Sequence, residues 1–480
     1  MREEEDYSYF ENREFQKILY QYEDAVSHEQ SVYMDADDLT DIAEYYMMNG
    51  RPTDAMEAIR IALALHPDSV DPQVFLARQA MFEGKLKKAT RICNAIPNQE
   101  DREVTFLKAE LLMRKKDDHA AHKFLLKEAE KVTDEKDMFY YDCTGIFIDY
   151  SQWETAELWA NRLQQEFPNY QKIKPLLVDI YMGKEEFGKA IPLLGELIDD
   201  DPFNVNLWNT QAHAYEMIGD HYQAIECCEY VLAIETNNEK ALCTKANSLV
   251  QMEQFDRADA IFVKLLQNSP DNDVFHYMHG VCLFHTQRLE EAAHALEMAN
   301  ETGGGMSAYQ PFIYIYQAMT ECQLQHYDRA LEAVRGLRQC TDDEHFVEAS
   351  LLEGQILMES GQAEDAMLTL KDAMKYSSDR RATLTRIGII FMQMEALDLA
   401  EDIFSGMKKM YSDEKSDESN AYLAYIHMMQ HKDELFLSEL KECTESCYPI
   451  LKHLFSEFYP GVQPSEYYLY AYKRIHGIFP

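Results

Sequence analysis

Cys443 and Cys447, four residues apart with His453 close behind, come nearest to a metal or thiol site in this chain. Two thiolates and an imidazole would be three of the four donors of a tetrahedral zinc centre. No fourth donor stands at a matching spacing, so the group reads as buried thiols. Cys227 and Cys228 are adjacent, point to different faces of any helix that carries them, and read as structural. The glycine run 303–305 has neither the following lysine nor the preceding strand of a phosphate loop, and reads as a linker. Nucleophile elbows, dinucleotide fingerprints and paired zinc-binding histidines are missing from the sequence, and its 16 histidines form no pairing motif. No residue constellation nominates a reaction, so the expectation is a non-enzyme with no catalytic residue, cofactor or metal.

Bulk chemistry narrows the partners. The 85 acidic residues against 45 basic ones give a formal charge of −40. Nucleic acid binding rests on neutralising phosphates with Lys and Arg, and a field of this sign opposes it. Anionic membrane surfaces are disfavoured for the same reason. A basic partner, or one held by apolar contacts, fits instead. The first residues, MREEEDYSYF, lack the apolar segment of a secretory signal, and no run of 18 apolar residues could span a bilayer. The scattered cysteines suit a reducing compartment, and a cytoplasmic location is expected.

The elements that would position any site come from a repeat. Turn-like stretches closing on alanine recur as GDHYQA at Ala224, EQFDRA at Ala258, QRLEEA at Ala292 and QHYDRA at Ala330. The register extends to Ala55, Ala89, Ala121, Ala156, Ala190, Ala366 and Ala400, and from Ala156 to Ala292 each step is 34 residues. Twelve residues upstream lie Ala43, Ala77, Ala109, Thr144, Val178, Ala212, Ala246, Gly280, Ala318, Gly354 and Gly388, all but two of them Ala or Gly. Twelve residues downstream, Pro67, Pro168, Pro202 and Pro270 mark the ends of units. Two small residues at fixed sites let a pair of antiparallel helices approach closely. In one unit Trp208, Ala212 and Tyr215 share a helical face, Gly219-Asp220 breaks the helix, and Ala224, Cys228 and Val231 form the facing stripe.

On those residues the chain resembles the tetratricopeptide repeat family, and it is similar to long bacterial cytoplasmic members. The resemblance covers 36–414 in eleven units; Thr144, Val178 and the GGGM linker at 303–306 depart from its pattern. It implies an all-α, right-handed superhelical α-solenoid of helix-turn-helix repeats, with the first helix of every pair lining a concave groove. Residues 1–35 are then an N-terminal capping helix around EFQKILYQYEDAV. Residues 415–447 form a degenerate twelfth repeat, with Ala424 in place and Phe436 where alanine belongs, and DEKSDES at 413–419 reads as an exposed loop. Residues 448–480, rich in Tyr and Phe, form a C-terminal cap.

The groove-facing rows follow from that implication. In the unit around Ala212 they hold Asn206, Asn209, His213 and Glu216, and in the next Lys240, Asn247 and Val250. Asparagine both donates and accepts, so it can hold the backbone of an extended peptide. Methionines recur in the same row at Met47, Met81, Met113, Met182, Met358, Met392 and Met428, a residue suited to varied apolar partners. Acids accompany them at Asp37, Glu44, Asp71, Glu103, Glu110 and Asp179. Together these residues describe a soft apolar groove with an acidic rim, fit for a basic amphipathic helix or peptide. Asn209, Lys240 and Asn247 match part of the family's carboxylate-gripping cluster, but its other basic residues are lacking and that capture is not expected. The function expected is a protein-binding scaffold. Its alternatives are a regulatory solenoid receiving a small ligand or peptide, and a homo-oligomer assembled through the aromatic tail.

Overall fold

The alanines of the register mark the points where two helices touch. Ala55, Ala89, Ala121, Ala156, Ala190, Ala224, Ala258, Ala292, Ala330, Ala366 and Ala400 are all fully buried. Each sits near the start of a second helix and faces the small residue of the first. The computed structural model describes residues 9–28, 30–170, 172–340, 343–411, 418–443 and 447–478. All regular structure among them is helical. The proposed loop 413–419 lies mostly outside the described residues; Ser419, however, is buried and opens the helix Ser419–Met429, which corrects the exposed reading there.

The chain divides into two compact units, Met1–Ser248 and Leu249–Pro480. In the first unit, helix Arg13–Ser27 buries Phe15, Leu19 and Tyr22 against Leu39, Ile42 and Tyr46. Helix pairs then follow one another, beginning with Ala36–Met48 and Pro52–Leu65 and then Val70–Phe82 and Leu86–Ala95. The pairs Arg102–Arg114 with Asp118–Ala129, Lys136–Asp149 with Trp153–Glu166, Ile173–Gly183 with Phe187–Asp200, and Val205–Met217 with His221–Ile234 complete the series. Thr144 and Val178, the two larger residues at the small site, are fully buried; the Thr144 hydroxyl donates to the Tyr140 carbonyl at 2.8 Å. Trp208 leans over its neighbours, its indole N–H donating to the Pro202 carbonyl at 2.9 Å and its ring stacked on Tyr230.

In the second unit the small site is glycine wherever its opposite number leaves no room. A Cβ on Gly280 would lie 2.7 Å from Leu296, one on Gly354 2.5 Å from Leu370, and one on Gly388 2.5 Å from Phe404. In the pair Ser419–Met429 and Asp433–Cys443, Ala424 is buried and Phe436 takes the alanine site, also buried. Helices Tyr448–Phe455 and Tyr467–Ile475 pack on that pair through Leu451, Phe455, Tyr459 and Tyr467. Cys443 and Cys447 lie in the same core.

One turn joins every pair. Five residues before each register position the backbone enters the left-handed region, at Gly50, Gly84, Lys116, Ser151, Glu185, Gly219, Glu253, Gln287, Gln325, Gly361, Glu395 and His431. The next amide reaches back five residues to a carbonyl of the first helix, as from Asp220 to Tyr215 at 2.9 Å and from Arg288 to Leu283 at 2.9 Å. That is the Schellman closure of a helix C-terminus, and it satisfies carbonyls the helix would leave orphaned. His431 places the same turn before Phe436, so the unit that lost its alanine kept its backbone.

Candidate functional site

Two cavities open on the first helices of the first unit. One, of about 800 Å³, is lined from four successive first helices: Glu44, Met47 and Met48; then Phe75, Arg78, Gln79, Met81 and Phe82; then Glu103, Phe106, Glu110 and Arg114; and finally Asp142, Ile146 and Asp149, with Tyr150 beyond them. The other, of about 780 Å³, takes Ile148 and Asp149, then Trp153, then Asp179, Met182 and Gly183, then Asn209, Thr210 and His213, and last Lys240, Cys243 and Thr244. Asp149 belongs to both, so the two cavities adjoin along one row of first helices. The same helical face supplies the lining because first helices sit side by side at the repeat spacing.

Of the residues expected to line a groove, Glu44, Met47 and Glu110 meet in the first cavity, and Asp179, Met182, Asn209, His213 and Lys240 meet in the second. Met81 and Glu103 join the first cavity, whereas Met358, Met392 and Met428 pack against cores of the second unit; in the first unit four others fall elsewhere. Met113 is 6% exposed and lies in the core cluster of Phe106, Phe147 and Trp159; Ile146 and Tyr150, packed on the same cluster, form the cavity wall instead. Asn206 is exposed and outside the lining, its carbonyl accepting the Thr210 hydroxyl at 2.8 Å. Glu216 stands behind His213 at 3.6 Å. The nearby Glu216 carboxylate raises the pKa of His213 above the ordinary imidazole value. Asn247 is exposed and does not line the cavity.

The acidic rim is more compensated than the sequence suggests. Arg78, absent from the expected set, donates to Glu110 at 2.8 Å and approaches Glu103 at 3.1 Å. Arg102 pairs with Asp142 and Glu135. Acid outnumbers base further toward the N-terminus, where Arg78 is the one cation beside five carboxylates of the lining. There a cavity of about 310 Å³ is lined by Asp37, Thr40, Asp41, Glu44, Asp71, Phe75, Arg78 and Glu103. Burial and a hydrogen bond with the Asp37 carboxyl push Asp71 up to about 6. Burial, opposed by a hydrogen bond from Tyr9, raises Asp41 as well.

In the second cavity the walls are set by a close fit. The Trp153 ring lies so near Gly183 that a Cβ there would come within 2.5 Å of it. Asn209 donates to the Asn238 side chain at 3.4 Å, a loose bond that leaves most of its amide capacity to the cavity. Burial pushes the Cys243 thiol up to about 11, so it offers no thiolate nucleophile at neutral pH. The chemistry available is therefore hydrogen bonding and apolar contact.

A third cavity was not legible in the register. It lies in the second unit, has about 750 Å³, and is almost wholly apolar, with Met367, Leu368, Leu370, Met374, Leu384 and Phe391 among its walls. Its signal was Met367 and Leu368, apolar residues on the outward side of helix Ala363–Tyr376 and both well exposed. Among the described residues, no helix is long and apolar enough to cross a membrane.

A family model described as "Anaphase-promoting complex, cyclosome, subunit 3" matches residues 217–299. The chain is 23% identical over 147 residues to Cilia- and flagella-associated protein 70 of Homo sapiens, covering 30% of this chain and 13% of that protein. It is 22% identical over 244 residues to Anaphase-promoting complex subunit 3 of Schizosaccharomyces pombe, covering 48% of this chain and 35% of that one. The alignments thus reach only a minor part of either relative's length. Yeast Tom70 aligns with 92% of this chain and 96% of its own at 16% identity and a TM-score of 0.42. YrrB, a TPR protein, aligns with 40% of this chain and 96% of its own at 17% identity and a TM-score of 0.35. Neither superposition carries a binding mode across. Helix pairs recurring at a 34-residue step from Ala156 to Ala292, mostly small residues where the helices cross and one turn closing every pair give the chain the fold of tetratricopeptide repeats, and its match to a family model covers residues 217–299.

Proposed function

We propose that the chain is a non-catalytic scaffold that holds a protein or peptide partner in the groove of its first unit. Folds of this family act in general by binding other proteins and are in general not enzymes. One matched relative bears the name of a subunit of a multiprotein complex, in keeping with such a role. The observation that carries the reading is the pair of adjoining cavities, in which residues from successive first helices converge on one face. Its N-terminal stretch combines methionine and aromatic walls with acid, which suits a basic or amphipathic segment. Its second stretch offers Asn209, Thr210, Thr244 and Lys240, groups that hydrogen-bond an extended backbone.

The test is comparative capture by the native chain and by a Met182→Glu, Asn209→Ala, Lys240→Glu variant of equal helicity. Proteins retained by the first and lost from the second support the groove. Equal retention by both removes it from consideration and shifts the weight to the apolar cavity at Met367.

A further inference from the structure

In this strongly acidic chain the last stretch has the opposite character. From Tyr467 onward there is no Asp or Glu, while Lys473, Arg474 and His476 supply positive or protonatable groups. Tyr467 and Ala471 are buried and pin helix Tyr467–Ile475 to the core around Phe455 and Tyr459. That anchoring turns Leu469, Tyr472 and His476 outward at i, i+3 and i+7, on one stripe. Leu469 is 53% and Tyr472 38% exposed, with Arg474 and Ile478 exposed beside them. The result is an apolar ridge with a basic flank, held rigidly from its other side.

The groove of the first unit carries the complement. Met47, Phe75 and Phe82 are its apolar walls, and at its N-terminal end Asp37, Asp41, Glu44, Asp71 and Glu103 outnumber the single cation, Arg78. The Asp37 and Asp71 carboxyls share a hydrogen bond and repel when both are ionised, a cost that a seated cation would remove. The apolar cavity at Met367 has no such concentration of acid, its only charged walls being Glu364 and Lys371, of opposite sign.

We propose that the chain associates head to tail with a second copy of itself. Leu469 and Tyr472 of one copy seat against the apolar walls of the other's groove, and Arg474 and His476 face its acids. The inference rests on the groove being a docking surface and names its occupant. The contact is heterologous, so a joined pair still presents one empty groove, on one copy, and one unused tail, on the other. Opposite charges across it make association weaken as salt rises.

The experiment is analytical ultracentrifugation of the full chain through the micromolar range at low and moderate salt. Two variants are compared with it, both altered only at exposed residues: Tyr472→Glu with Arg474→Glu on the tail, and Asp37→Lys with Glu44→Lys in the groove. Each variant alone should associate at least about tenfold more weakly than the native chain, the loss expected when a central contact is removed. Mixed in equal amounts, the two should form a heterodimer and nothing larger, because only one intact groove and one intact tail remain between them. Should one variant lose helicity, Leu469→Ala with Arg474→Ala on the tail, or Asp37→Asn with Glu44→Gln in the groove, takes its place. A chain monomeric at every concentration and salt overturns the proposal, as does association equal in both variants or a mixture that fails to pair. A monomeric chain whose groove variant still loses a captured protein would leave the groove reading intact.

Discussion

Asp71 shows how a single side chain can tie the groove to pH. Its carboxyl is pushed up to about 6 by burial and by Asp37, whereas an aspartate in an unfolded chain ionises near 4. Between those values the folded chain binds the extra proton, so stability falls as pH rises from about 4 through 6. Asp71→Asn removes that linkage. Its melting temperature should exceed that of the native chain at pH 7, with the gap closing near pH 4. A gap independent of pH would contradict the assignment. A second prediction concerns the turns. Glu253 holds a left-handed conformation that disfavours any side chain by about 1 kcal/mol or more, and glycine escapes this. Glu253→Gly should therefore raise the denaturant midpoint, while Gly219→Ala, at the matching turn, should lower it. Much at this scale was hidden from the sequence. Gly50, Gly84, Gly219 and Gly361 hint at the turn, but the Lys, Glu, Gln, Ser and His residues at the same site are types that no local rule assigns to that conformation. Arg78 was missed because one cation within a row of methionines and acids carries no periodic signal.

Helix pairs were far more legible, because their contact is made by residue size. A buried alanine facing another small residue leaves a mark at fixed spacing, and the surrounding side chains can vary freely. At Gly280, Gly354 and Gly388 the small residue is glycine, and a Leu or Phe of the facing helix fills the space its Cβ would take. Gly388→Ala should destabilise the chain by about 1–3 kcal/mol, since its methyl group would meet the Phe404 ring. Gly406→Ala, on a second helix with nothing within 4 Å, should instead stabilise it by about 0.5–1 kcal/mol through helix propensity. Thermal unfolding of the two variants side by side separates packing from propensity, and the same sign in both would refute the argument. The groove was legible for the same reason as the pairs. Once the small residues fix each helix's rotation, the next positions on its face, among them Glu44, Met47, Asp179, Met182 and His213, must line whatever lies between neighbours. Met113 escapes that rule because Ile146 and Tyr150 fill its place in the wall.

For the whole molecule, connectivity decides how far a perturbation travels. Each pair rests on its sequence neighbours, so stability is close to a sum of local and nearest-neighbour contributions. Gly388→Ala should accelerate amide exchange in helices Arg380–Gln393 and Leu397–Met410 and leave helix Ala36–Met48 unchanged. Uniform acceleration along the chain would mean a single cooperative unit in place of a series. The formal charge of −40 was plain from composition, yet composition could not say that Arg78 and Arg102 neutralise part of the groove while Asp37 and Asp71 stay crowded. The recurring left-handed turn has a further consequence, for engineering. Lys116, Ser151, Glu185, Glu253, Gln287, Gln325, Glu395 and His431 lie in separate pairs and outside the lining of either groove cavity. Gains at sites so far apart add almost independently. Glycine at all of them, at about 0.5–1 kcal/mol each, would accumulate several kcal/mol. The chain thus carries a reserve of thermal tolerance, spread evenly along its length, that can be drawn on without altering any residue that lines the groove.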